Sequence, residues 1–151
     1  MGADLTYGWF PVGKRTTVEV SADRDGINLL GAMTDDGETL FLECGGSFTG
    51  AVTTHFLEVL TDAFGEELLV VLDQAPYFIA NKVREHVADT PTELLYLPAG
   101  SPDFNPTEEC WHQFTQTLGN QYFADCEELR TAIWPALDSI DSPDIFEYLW
   151  P

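Results

Sequence analysis

Apolar and polar positions alternate, cluster and recur along this chain in a way that predicts its elements before any residue chemistry is considered. In "INLLGAMTDDGETLFLE" two β-favouring runs, residues 27 to 33 and 39 to 43, flank Asp36-Gly37, the strongest hairpin signal present. Between Thr49 and Phe64 the apolar residues Val52, Phe56, Val59, Leu60 and Ala63 recur at helical spacing, and Gly65 is placed to stop the helix. His55 lies beside that face and reads as a packed or partly exposed side chain. The continuous run "ELLVVLD" predicts a strand buried on both faces and ending at Asp73. A modest helix over 79 to 88, a second buried strand in "ELLYLP", an amphipathic helix over 106 to 118 and a last helix over 126 to 140 follow, with Pro135 expected to kink or divide the last.

The two ends of the chain carry weaker signals. "MGADLTYGWFPVGKRTTVEVS" has turn residues at Pro11 and Gly13 before a β-favouring run from Thr16 to Val20, which predicts an extended edge segment or hairpin. The tail "SPDIFEYLWP" is apolar enough to pack back onto the body. The order hairpin, helix, strand, helix, strand, helices implies an α/β fold, a mixed sheet covered by helices.

Composition narrows the class. With 151 residues, 44% of them apolar, the chain is long enough for one sizeable core, and a single domain is expected. The 26 acidic residues outnumber the 6 basic ones and leave a formal charge of −20. They are scattered among plentiful aromatics and aliphatics, so the acidity belongs to a folded surface and not to a disordered tail. Such a surface suits a salt-rich cytoplasm, where screening shortens the reach of self-repulsion to about 3 Å near 1 M salt. It also argues against a broad phosphate-binding face, because nucleic-acid binders carry a basic footprint, but it leaves room for a small metal-dependent site.

Cys44, Cys110 and Cys126 are odd in number, widely spaced and without a C-x-x-C pair, so they read as reduced thiols, and Cys110 with His112 makes a poor zinc site. No apolar run reaches the length of a membrane span, and the first residues lack a signal pattern. A cytoplasmic protein with no membrane partner is expected.

Candidate chemistry lies in two carboxylates. Functional groups in open α/β sheets gather at the carboxyl ends of strands, where both Asp73 and the loop after "ELLYLP" fall. A convergent pair of carboxylates suits Mg2+ or Mn2+, hard cations that take oxygen ligands. Glu108 has a second explanation. Asn105 is a good N-cap, Pro106 fits the first helical position and Glu108 the third, so "NPTE" is a capping box. The uses are compatible, because the helix dipole favours an anionic carboxylate in the first turn, as a metal ligand requires. Asp73 alone is equally well explained as a strand-terminating turn residue. Asp103 reads as a turn residue, Glu109 points about 100° away from Glu108 around the helix, and Trp111 should pack beneath Glu108. A glycosidase-like use of the pair needs an acid with a raised pKa, for which a helix-N-terminal glutamate is a poor candidate.

"VVLDQAPYF" followed by "LYLPAGSPDFNPTEECW" resembles the catalytic domain of DDE transposases of the mariner superfamily, especially its insertion-sequence-630 branch. In that family one strand ends in a catalytic Asp, and a later P-x-x-S-P-D-x-N-P-x-E-x-x-W segment carries the last acid. Asp73 and Glu108 match those positions, with 34 residues, 74 to 107, between them. "YGWFPVGKR" resembles the family's Trp-x-x-x-Gly element, which extends the likeness over nearly the whole chain.

The resemblance implies a ribonuclease-H-like fold, a three-carboxylate site for two Mg2+ or Mn2+ ions, and cleavage and strand transfer at transposon-end DNA. Gln74 in place of the usual Asn and Ala99-Gly100 in place of a bulkier pair are mild departures. The family's first catalytic Asp stands on a strand shortly before the Trp-x-x-x-Gly element, and here Asp4 is the sole acid before Trp9. The first central strand, its Asp and the preceding helix-turn-helix region are therefore expected to be missing from residues 1 to 151, as in an N-terminally truncated copy. Such a piece retains Asp73 and Glu108 and is expected not to cleave alone. The alternative is a non-catalytic interaction protein that associates with or inhibits full-length transposase; a homo-oligomer is also open. An edge left by the missing strand would be filled by "RTTVEVS", by another chain, or not at all.

Overall fold

A computed structural model of the chain describes residues 26–144. The expected N-terminal hairpin with "RTTVEVS", Asp4, the Trp9 element and the end of the apolar tail lie outside those residues. The described chain falls into two compact units, residues 28–108 and residues 109–142.

The first unit opens with the expected hairpin. β1 (Asn28–Met33) pairs antiparallel with β2 (Thr39–Cys44) in a register running from Asn28↔Cys44 to Met33↔Thr39. Gly37 closes the turn at φ 89°, a conformation that favours glycine, while the Glu38 amide donates to Thr34 Oγ1 at 2.9 Å. Helix α1 (Gly50–Phe64) follows, capped by Thr49, whose side chain accepts from the Val52 amide at 3.3 Å. It ends at Gly65, whose amide donates to the Thr61 carbonyl at 2.9 Å. The stop stands where the sequence puts it.

The face that α1 buries is rotated from the expected one. Thr53, Phe56, Leu57 and Leu60 are buried, whereas Ala63 is exposed and Val52 and Val59 are half-buried. Thr53 enters the core because its hydroxyl donates to the Tyr77 carbonyl at 3.0 Å, which offsets the cost of burying it. His55 is exposed and pairs with Glu58 at 3.5 Å.

β3 (Leu69–Leu72) and β4 (Glu93–Tyr96) form a parallel pair, Leu69↔Glu93 to Leu72↔Tyr96, joined through α2 (Asn81–Val87). Neither strand is buried on both faces, contrary to the reading of their continuous apolar runs. Leu69 is 64% and Leu95 51% exposed, with Val71 also on the exposed side, while Val70 and Leu94 pack against the core. The all-apolar sequence conceals a period-2 alternation, because both faces carry the same residue type.

Antiparallel and parallel pairings together make the expected mixed α/β layer, but among the described residues they form two separate two-stranded sheets. Both pack on one cluster of Leu30, Cys44, Phe56, Leu57, Leu60 and Val83. Gly50 lets α1 approach α2 closely: a Cβ there would lie 2.9 Å from Ala80 Cβ. Gly50→Ala is therefore expected to cost about 1–3 kcal/mol through overpacking, read as a lowered denaturation midpoint. An unchanged midpoint would show that the approach relaxes freely.

α3 (Thr107–Leu118) starts at the end of the first unit, after a 3-10 turn at Pro102–Phe104. In the second unit, Gln113 exchanges two hydrogen bonds with the Asp141 backbone, at 3.0 and 2.9 Å. α4 (Cys126–Asp138) is continuous through Pro135, so that proline does not divide it. Its N-cap is Asp125, which accepts from the Glu128 amide at 2.9 Å. No helix among the described residues is long and apolar enough to cross a membrane.

Candidate active site

Asp73 follows the last residue of β3, at the carboxyl end of the parallel pair. The strand stops there because the carboxylate turns on its own backbone: Oδ1 accepts from the Ala75 amide at 2.8 Å. Beyond it, three side chains tie the segment 74–78 to its neighbours. Gln74 Nε2 donates to the Leu97 carbonyl at 2.9 Å, Thr53 to that of Tyr77, and the Tyr96 hydroxyl to that of Phe78 at 3.0 Å. Phe48 and Phe78 pack on the Tyr77 ring, with centroids 5.1 and 4.5 Å away. Burial, then the charge of Asp73, raises the Tyr77 hydroxyl above its usual pKa.

Glu108 stands in the first turn of α3. Asn105 caps that turn as expected: its Oδ1 accepts from the Thr107 amide at 3.2 Å and the Thr107 hydroxyl at 2.6 Å. The Glu108 amide donates to the Asn105 carbonyl at 3.0 Å. The reciprocal half of the capping box is not made, since among the described residues no hydrogen bond involves the Glu108 carboxylate.

The charge of Asp73 is felt at Glu108. The Glu108 carboxyl is pushed above the usual range, first by partial burial and then by the negative charge of Asp73. The helix dipole favours an anionic carboxylate at this position, and desolvation and the like charge of Asp73 act in the opposite sense. Glu108 is an exposed residue, so solvent screens the interaction.

A cation fits such a pair. Two hard oxygen ligands, one carboxylate without a hydrogen bond, and mutual repulsion are relieved together by Mg2+ or Mn2+, which bind through one or two carboxylates and fill the rest of their shell with water. Among the described residues no group of three His, Cys, Asp or Glu is placed to hold a metal.

The other acids and thiols sit elsewhere. Asp103 is exposed in the 3-10 turn, and Glu109 accepts from Gln113 Nε2 at 3.2 Å. The Trp111 ring packs edge-on to Phe114 at 5.8 Å. Burial raises the thiols of Cys44 and Cys110, while His112 Nε2 lies 2.6 Å from Gln116 Nε2. Sequence periodicity missed Thr53 and Tyr96 as supports of the Asp73 segment. The only signal for Thr53 is a polar residue within an apolar helical stripe.

Comparison with known proteins identifies the family and the fold. The family profile described as DDE superfamily endonuclease matches residues 2–130. An uncharacterized protein of Sinorhizobium fredii, y4pE/y4sA, is 34% identical over 101 residues, covering 63% of this chain and 70% of its own. Among solved structures, the Mos1 transposase paired-end complex with left transposon end matches with a TM-score of 0.65 at 19% identity, covering 97% of this chain and 46% of that one. The Mos1 strand transfer complex matches at 0.66 and 19%, over 98% and 46%, and the Mos1 mariner paired-end complex with Mn at 0.65 and 19%, over 99% and 48%. The chain spans about half the length of the Mos1 chains it matches. These likenesses show the fold, a ribonuclease-H-like mixed α/β arrangement, and the profile match over most of the chain shows the family. This chain belongs to the DDE superfamily endonucleases.

Proposed function

We propose that the chain is the catalytic-domain portion of a mariner-like transposase, of the insertion-sequence-630 branch, whose Asp73 and Glu108 hold Mg2+ or Mn2+. The observation that carries this reading is the charge of Asp73 acting on a Glu108 carboxylate that has no hydrogen bond of its own among the described residues. The Mos1 structures, complexes with transposon ends and one with Mn, support transposon-end DNA as the partner and a divalent ion as the cofactor. When bound, the ion supplies charge stabilisation at a phosphodiester. Asp73 and Glu108 contribute its oxygen ligands, and the bonds to segment 74–78 keep the Asp73 turn in place.

Residues 1–151 alone are expected not to cut DNA, because Asp73 and Glu108 are the two acids that match the family's motifs and its chemistry calls for three. Incubation of the purified chain with supercoiled plasmid and Mg2+ or Mn2+ should leave the plasmid supercoiled. Robust nicking that disappears in Asp73→Asn would overturn this and place a third ligand within the chain.

A further inference from the structure

The residues on either side of Asp73 both grip Leu97. The Leu97 amide donates to the Leu72 carbonyl at 2.7 Å, continuing the parallel ladder one step beyond Tyr96. In a continuing ladder the Leu97 carbonyl would next accept from the backbone amide of residue 74. Here it accepts from the Gln74 side chain instead, with Nε2 at 2.9 Å. The side-chain amide takes the place of a main-chain amide, so β3 can leave the sheet at Asp73 without orphaning the carbonyl of Leu97, a buried residue. Asp73 Oδ1 satisfies the next turn amide, that of Ala75, at 2.8 Å. Two side-chain bonds therefore define the turn on which the Asp73 carboxylate is carried. One of them reaches across to the strand exit from which the chain runs on to Glu108.

We infer that Gln74 is a positioning residue, which by bonding the Leu97 carbonyl in place of a ladder amide holds the Asp73 turn in the orientation that captures a divalent cation. The inference rests on the proposed metal-binding role of Asp73 and Glu108. Residues that orient a metal ligand typically change affinity about 10- to 100-fold when removed.

Gln74→Met keeps the side-chain length and removes the donor. The test is Mn2+ titration of the whole chain, followed by electron paramagnetic resonance, in about 1 M salt to screen the acidic surface. Gln74→Met should weaken Mn2+ binding about tenfold, lower the metal-free melting temperature by a few degrees because the Leu97 carbonyl loses its donor, and add a water to the bound ion in proton relaxation measurements. Unchanged affinity and hydration would overturn the inference, as would an affinity loss that only tracks a fall in metal-free stability at constant hydration. Unsubstituted and Asp73→Asn chains run in parallel separate the two failures: Mn2+ binding indifferent to Asp73→Asn, or absent throughout, removes the metal-binding reading itself.

Discussion

Asp73→Asn should lower Mn2+ affinity more than tenfold, the largest functional effect expected of any single substitution in this chain. The exchange keeps the shape of the side chain, and its amide oxygen can still accept from the Ala75 amide, so the turn survives. What is lost is one of two negative charges facing the ion, and charge count is a principal determinant of affinity for hard cations. The same substitution should bring the Glu108 carboxyl down towards its ordinary value of 4.5, because Asp73 is the neighbouring charge that helps raise it. Carboxyl carbon chemical shifts followed against pH read that change directly, and an unmoved Glu108 titration would show that the two groups do not interact.

The sign of the shift also fixes a pH dependence. A carboxyl whose pKa is higher folded than unfolded favours the native state while protonated. That contribution is present below the unfolded value and is lost as pH rises through the folded one. Without metal, the stability of Glu108→Gln relative to the unsubstituted chain should therefore be constant well below 4.5 and increase as pH rises above it. Added Mn2+ should stabilise the unsubstituted chain more than Glu108→Gln at neutral pH, since the unsubstituted chain binds the ion more tightly.

The second large effect is on the core. Leu57, 2% exposed on α1, packs in the cluster shared by both sheets, and Leu57→Ala should cost about 2–5 kcal/mol through lost burial and the cavity left behind. In a unit of this size, that lowers the melting temperature by roughly 10 °C or more. Leu69→Ala, at a residue 64% exposed on β3, should change stability by less than about 0.5 kcal/mol. Reading both strands as buried on both faces makes these two substitutions nearly equivalent, so the contrast between them separates that reading from the observed alternation. Equal losses at the two positions would mean that the outer face of β3 is covered.

The sequence revealed most where physics is local. The hairpin needed only Asp36-Gly37 between two β-favouring runs, and α1 only its spacing and Gly65. The buried face of α1 was misjudged because hydrophobicity is a poor guide at two positions: Thr53 is polar but satisfied in the core, and Ala63 is apolar but exposed. The faces of β3 and β4 were unreadable because alternation cannot appear in an all-apolar run.

At the candidate site, Asp73 and Glu108 were legible as motif residues, and the Asn105 cap as a spacing. The unmade half of the capping box was not legible, because "NPTE" has the same spacing whether its glutamate turns back to the helix or remains without a bond. The supports of the Asp73 turn were hidden for a different reason. Gln74 to Leu97, Thr53 to Tyr77 and Tyr96 to Phe78 join residues 23, 24 and 18 positions apart, and contacts at that distance leave no periodic trace.

The central claim is that Asp73 and Glu108 form one divalent-cation site. Its most direct test is anomalous diffraction at the manganese edge from crystals of the chain grown with Mn2+. The expected result is an anomalous peak with Asp73 and Glu108 carboxylate oxygens both at bonding distance, absent from crystals of Asp73→Asn. Manganese bound elsewhere on the acidic surface, with no peak between these two carboxylates, would contradict it.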